Sequence, residues 1–260
     1  MLNKVVMPRR QLPVWAAFSH AVSSVRDNLK IAFRVSWPWY AVLGISTAII
    51  RLAWGEPASD AHPDIVPALV LAALILVSSA GIAVNWHRYI LLDDIPHGGM
   101  LLRFDGLMWR YLGNLLLIGL LIFIAMIPFS LVAALLNAQP PGLVAAFFVA
   151  LPFAGLLFLR LGIKLPAIAL GRNDFGFQDA WRATAGNGWQ IVQLFLLNIG
   201  AAILVSFAIY LIEQVIELAS PQAAGFVSFA VEFVANWIFT IFGITILTSL
   251  YGFFIQNRDF

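Results

Sequence analysis

Residues 111–136 read YLGNLLLIGLLIFIAMIPFSLVAALL, a run without one charged side chain. A hydrocarbon core about 30 Å thick needs roughly 20 mostly apolar residues of helix, so this stretch is long enough to cross a bilayer. The same ruler, moved outward in both directions, predicts further spans at 35–54, 65–86, 142–161, 189–211 and 225–251. Breakers separate them: Gly55-Glu56-Pro57, Gln139-Pro140-Pro141-Gly142 and Ser220-Pro221. Pro128 and Pro152 fall inside spans, where they kink a helix rather than end it, because neighbouring helices satisfy the freed carbonyls.

Composition agrees with that reading. Of 260 residues 62% are hydrophobic and only 11% charged, with a mean hydropathy of +0.91. Soluble domains run near ~25% charged, so this surface suits lipid better than water. The net charge is only +2, which makes the pI of about 9.2 no argument for nucleic acid. The partner expected first is the lipid bilayer. There is no Cys, which excludes disulfides, thiolate metal sites and thiol nucleophiles. Residues 1–34 form a basic amphipathic segment without a compact apolar run before a cleavage site. No cleavable signal peptide is expected, and the first span reads as a retained signal anchor.

The charges then orient the spans. Lys4, Arg9, Arg10, Arg26, Lys30 and Arg34 precede the first, and Arg88, Arg103 and Arg110 lie between the second and third. Arg160, Lys164, Arg172 and Arg182 lie between the fourth and fifth, and Arg258 follows the sixth, leaving only Arg51 on the other side. Glu56, Asp60, Asp64, Glu213, Glu217 and Glu232 fall on that other side. Positive residues stay in the cytoplasm, so both termini are expected there, in a six-span all-helical protein of the cell inner membrane. Trp37, Trp39, Trp86, Trp109 and Trp189 near inner ends and Trp54 near an outer end fit an aromatic belt.

One spacing recurs ahead of the first, third and fifth spans. Phe18, Ala21 and Asn28 are matched by Phe104, Leu107 and Asn114, and by Phe177, Ala180 and Asn187. The pattern predicts three units, each an interfacial helix followed by a helical hairpin; chance matching in an apolar chain is the alternative. In the first copy Phe18, Ala21, Val22, Val25 and Leu29 would form one face of a helix in the headgroup region. Each Asn is expected to turn the interfacial helix into the span by capping or by bonding backbone carbonyls.

Polar residues inside spans are the natural candidates for function. Glu232, Asn236 and Thr240 recur every four residues on one face of the last span, and Glu213 and Glu217 end the fifth on the same side. One reading is an outward polar pocket with Glu232 as a cation or proton site. The reading favoured here has Glu213, Glu217 and Glu232 solvated, with Asn236 and Thr240 as interhelical glue. Arg88, Arg160 and Lys164 are candidate contacts for anionic lipid. His87, Asp93, Asp94 and His97 lack a recurrent metal-ligand spacing, and His62-Pro63-Asp64 reads as a turn. No phosphate loop, nucleophile elbow or zinc-protease motif is present, so no catalytic residue, cofactor or metal is assigned. Gly142, Ala146, Ala150 and Ala154 make a small-residue stripe suited to packing within the bundle or against another copy.

Leu165-Pro166, Ala180-Trp181, Thr184 and Gly186-Asn187 resemble the inner loop of uncharacterised six-span bacterial inner-membrane proteins. Trp86-His87-Arg88 followed by Leu91-Leu92 resembles their alphaproteobacterial members. The layout is more loosely similar to the membrane domain of glycerophosphodiester phosphodiesterases, without their catalytic domain. The resemblance implies location and fold class and no activity. A non-enzymatic scaffold or envelope-associated accessory protein is the leading expectation, with a membrane-protein partner or homo-oligomer. A permease-like carrier of small solutes or lipids, using the last hairpin, is the alternative.

Overall fold

Backbone amides and carbonyls have no water to bond inside lipid, so apolar runs of this length must satisfy them within their own helices. The computed structural model describes residues 10–54, 65–135 and 140–260, and among these every regular element is helical. Lys4, Arg9, Glu56, Asp60, the His62-Pro63-Asp64 turn and Gln139 lie outside the described residues. In chain order the helices are α1 (Val14–Asp27), α2 (Leu29–Trp54), α3 (Ile65–Leu92), α4 (Gly106–Leu135), α5 (Pro140–Gly162), α6 (Lys164–Ala169), α7 (Phe177–Ala183), α8 (Gly188–Ala219) and α9 (Pro221–Ile255). A short 3-10 turn, Gly98–Leu101, precedes α4.

Among the described residues five stretches are long and apolar enough to cross a membrane: Ile65–Leu92, Gly98–Leu135, Gly142–Ala169, Gly188–Ala219 and Ala230–Ile255. The span expected at 35–54 is not among them. Its helix α2 is 26 residues long, but Lys30, Arg34, Trp37, Pro38, Trp39 and Tyr40 dilute the first half. Several helices also outrun the expected limits. α3 continues to Leu92, so Trp86-His87-Arg88 sits inside a helix rather than closing it. Pro128 and Pro152 lie within α4 and α5, which continue through them as expected.

The most extensive contacts are within the hairpins α2/α3, α4/α5 and α8/α9. The helices preceding them differ. α1 stops at Asn28, whose side chain donates to Ser24 O (2.8 Å), and α2 follows at once. α7 precedes α8, separated by the left-handed Gly186 (φ 86°) and Asn187. Before α4 there is only the 3-10 turn, and Leu107 and Asn114 already lie within α4. Asp105 accounts for this: its carboxylate accepts the Met108 amide (3.0 Å), capping the long helix directly.

Burial is concentrated at the end of the bundle that carries the basic residues. Trp39, Ile82, Trp86, Met108, Ile163, Leu165, Ile168, Ile191, Leu194, Leu250 and Tyr251 are all nearly inaccessible there. At the far end Phe123, Leu131, Phe148, Ile203, Leu204, Phe207 and Leu211 are exposed, and none of the most apolar stretch of α8 is buried. Two glycines permit the closest approaches. A Cβ on Gly81 would lie 2.5 Å from the Trp39 ring, and one on Gly155 would lie 2.4 Å from the Phe195 ring. α1 belongs to this packed base: Ala17, Ala21 and Val25, four residues apart, are buried where it meets α8 and α9. Phe18 packs edge-on against Phe242 of α9, and Phe18, Val22, Val25 and Leu29 (the first residue of α2) line an apolar groove beside α8 and α9.

Candidate functional site

The last carbonyls of a helix have no intrahelical donor and form the negative end of its dipole, so cations collect there. Four arginines of the base do this across elements. Arg10 donates to Phe253 O near the end of α9 (3.4 Å) and pairs with Asp259. Arg88 donates to Ala169 O, the end of α6 (3.2 Å), and to Asp94 (2.7 Å). Arg160 donates to Trp181 O of α7 (2.8 Å) and to Thr184 Oγ1 (2.9 Å), and lies 3.5 Å above the Trp181 ring. Arg258 donates to Leu91 O at the end of α3 (3.2 Å). Lys164 lies 3.9 Å above the Phe177 ring. Arg88, Arg160 and Lys164, expected to contact lipid phosphates, thus each have a protein partner, and only their remaining donors are free for headgroups.

Beneath the arginines runs a buried polar column between α3, α4 and α9. Trp86 Nε1 donates to Thr245 Oγ1 (2.8 Å). His87, fully buried, bonds Thr248 Oγ1 (2.8 Å) through Nδ1 and the Tyr111 hydroxyl (3.2 Å) through Nε2. The Thr248 hydroxyl spends its proton on Ile244 O (3.0 Å), so Nδ1 must carry the imidazole proton and Nε2 must accept from Tyr111. Both nitrogens of a neutral ring are therefore committed, which suits a clamp and leaves no free base. Among the described residues no three His, Asp or Glu side chains gather as a metal would require.

Asn187, the third Asn of the repeated spacing, accepts the Leu12 amide (2.7 Å) and donates to Arg10 O (3.0 Å). This residue ties the N-terminal strand of chain to the start of α8. Asn114 behaves like Asn28, bonding the carbonyl four residues back (2.8 Å). His20 on α1 bonds Ser249 (3.0 Å), and burial together with the nearby Arg258 holds its imidazole below the ordinary value. In the loop before α7, the hydrogen bond from Arg172 holds the Asp174 carboxyl below its usual range.

The expected polar face of the last helix is only partly assembled. Tyr40 of α2 donates toward Asn236 Oδ1 (3.1 Å) and Thr240 Oγ1 (3.3 Å), while Trp237 Nε1 donates to Ser36 (2.6 Å). Asn236 and Thr240 therefore face α2 rather than α8. Glu232 and Glu217 are exposed, Glu213 is half-buried, and among the described residues none of the three joins the knot. Tyr40 and Ser36 escaped the sequence reading, although their spacing of four, matching that of Asn236 and Thr240, was the available signal. Comparison of the chain with protein-family models, with curated proteins and with solved structures finds no match.

Proposed function

We propose that this chain is a non-catalytic scaffold of the cell inner membrane that crosses it six times with both ends in the cytoplasm. The observation that carries the scaffold reading is the division of the bundle. One end is clamped by arginine caps and the His87 column, while the far halves of α4, α5 and α8 leave large apolar side chains exposed. Side chains facing lipid gain nothing from hydrophobic burial, so such faces are open to another helix wherever shapes fit. The Tyr40 hydroxyl reaches Asn236 Oδ1 and Thr240 Oγ1 across the α2/α9 contact, and Thr240 donates to Asn236 O, which supports glue between helices over a transport path.

The chain has no Cys, so single residues on these faces are easily addressed. Photo-crosslinkers placed singly from 203 to 212 on α8 should give adducts of discrete mass in intact membranes, recurring every three or four positions. Adducts at no position, or equally at all of them, would show that only lipid covers this face and would sink the scaffold reading.

Parity supports the sixth crossing. Arg10 contacts Phe253, Arg258 and Asp259, so the two ends of the described chain lie on one side of the bundle. That proximity supports an even number of crossings, with α2, a 26-residue helix, as the sixth. Cysteines at positions 11 and 257 should both resist an impermeant maleimide in intact spheroplasts and both react in inverted vesicles. Opposite accessibility of the two would refute an even count.

A further inference from the structure

α1, α8 and α9 enclose a half-open groove of about 390 Å³, within the range of ~300–1,000 Å³ typical of small-molecule sites. Its walls are apolar, from Phe18, Val22, Val205 and Phe242 among others, with two polar exceptions, Arg26 and Asn198. Val22, Val205 and Ile238 are exposed along its edge, so it is reached from outside the bundle. The Asn198 side-chain amide makes no hydrogen bond among the described residues, although an unpaired amide in hydrocarbon is costly. Arg26, the one cation lining the groove, shares its charge with Asp27 (2.8 Å), while Lys30 and Arg34, the next cations along the chain beyond the break at Asn28, have no ion pair among the described residues.

We propose that this groove holds one acyl chain of an anionic bilayer phospholipid, with its headgroup against Arg26 and Lys30. Three features select that occupant. Arg26 lines the groove and unpaired Lys30 and Arg34 follow it along the chain, and cations at a membrane surface attract anionic headgroups. The walls accept a hydrocarbon chain. Asn198 offers two N–H donors to an ester carbonyl, which a phospholipid carries and an apolar partner helix does not. The proposal goes beyond the scaffold reading and does not depend on it.

The test uses the full-length protein in nanodiscs of phosphatidylcholine with a minority of phosphatidylglycerol, released gently and weighed by native mass spectrometry. The wild type should retain one phosphatidylglycerol. Ala202→Trp and, separately, Val205→Trp fill the groove and should lower that occupancy about tenfold, a change of about 1.4 kcal/mol. Leu204→Trp, whose residue is not part of the groove lining, should leave it unchanged. Arg26→Gln with Lys30→Gln should keep a bound lipid but lose the preference for phosphatidylglycerol over phosphatidylcholine. Melting curves identify any variant that fails to fold, and the two filling variants then stand in for one another. Retention of phosphatidylglycerol by a folded groove-filling variant would overturn the proposal. So would equal retention of both lipids by the wild type, or a second copy of the chain in place of lipid.

Discussion

Gly81→Ala should lower thermal stability in detergent by about 3 kcal/mol, the upper end of what one extra methyl costs in a tightly packed interior. The new Cβ would stand 2.5 Å from Trp39 Cζ2, 2.6 Å from Cε2 and 2.7 Å from Nε1. Real carbon atoms do not approach so closely, so something must move. Trp39 is only 2% exposed and also lies 5.2 Å from the Phe104 ring, so it has nowhere to retreat. The relief available is for α2 to lift from α3. A double-mutant cycle separates this from a general loss of packing. Trp39→Leu is destabilising alone, but in its background Gly81→Ala should cost almost nothing, a coupling of about 3 kcal/mol. Differential scanning fluorimetry reads all four proteins. A full penalty for Gly81→Ala without Trp39 would mean that the contact described here is not what holds the hairpin.

His87→Ala should cost about 3–5 kcal/mol, because it opens a cavity and strips the Tyr111 hydroxyl of its partner in a fully buried place. Thr248 loses less, since its hydroxyl still donates to Ile244 O. The two neighbours should therefore respond unequally. Adding Tyr111→Phe to His87→Ala removes the stranded hydroxyl and should recover about 1–3 kcal/mol. Adding Thr248→Val should recover little. Equal recovery by both, or none by Tyr111→Phe, would contradict the assignment of the imidazole proton to Nδ1.

The sequence carries the helical fold and the division of charge in plain view. Runs such as 111–136 are too long and too apolar for another reading, and the hairpin pairing follows from the short separators between runs. The role of the arginines is less legible. Arg88, Arg160 and Arg258 read alike as positive residues near span ends, yet each finds a carbonyl on a different helix. Such partners are set by tertiary placement, which local spacing does not encode. The repeated Phe, aliphatic and Asn spacing shows the same limit. Asn28 and Asn114 both bond the carbonyl four residues back, but Asp105 starts α4 early enough to leave the second copy without a separate helix. At the candidate site the pair Asn236 and Thr240 was visible from its period, while its partner Tyr40 lies 196 residues away from Asn236. Nothing in the local pattern of α9 indicates whether α2 or α8 will face it.

The grip of Arg10 on the last turn of α9 has a consequence for biosynthesis. Arg10 leaves the ribosome 243 residues before Phe253, the residue whose carbonyl it caps, and Arg258 must emerge later still to cover Ile90 and Leu91. Contacts so distant in sequence form late. The apolar helices can enter the bilayer one after another during translation, but the layer that binds them to each other closes only after the last of them has arrived. A nascent chain halted before α9 therefore shows open helix ends and an unseated α1, features by which a membrane protease could tell an unfinished copy from a finished one.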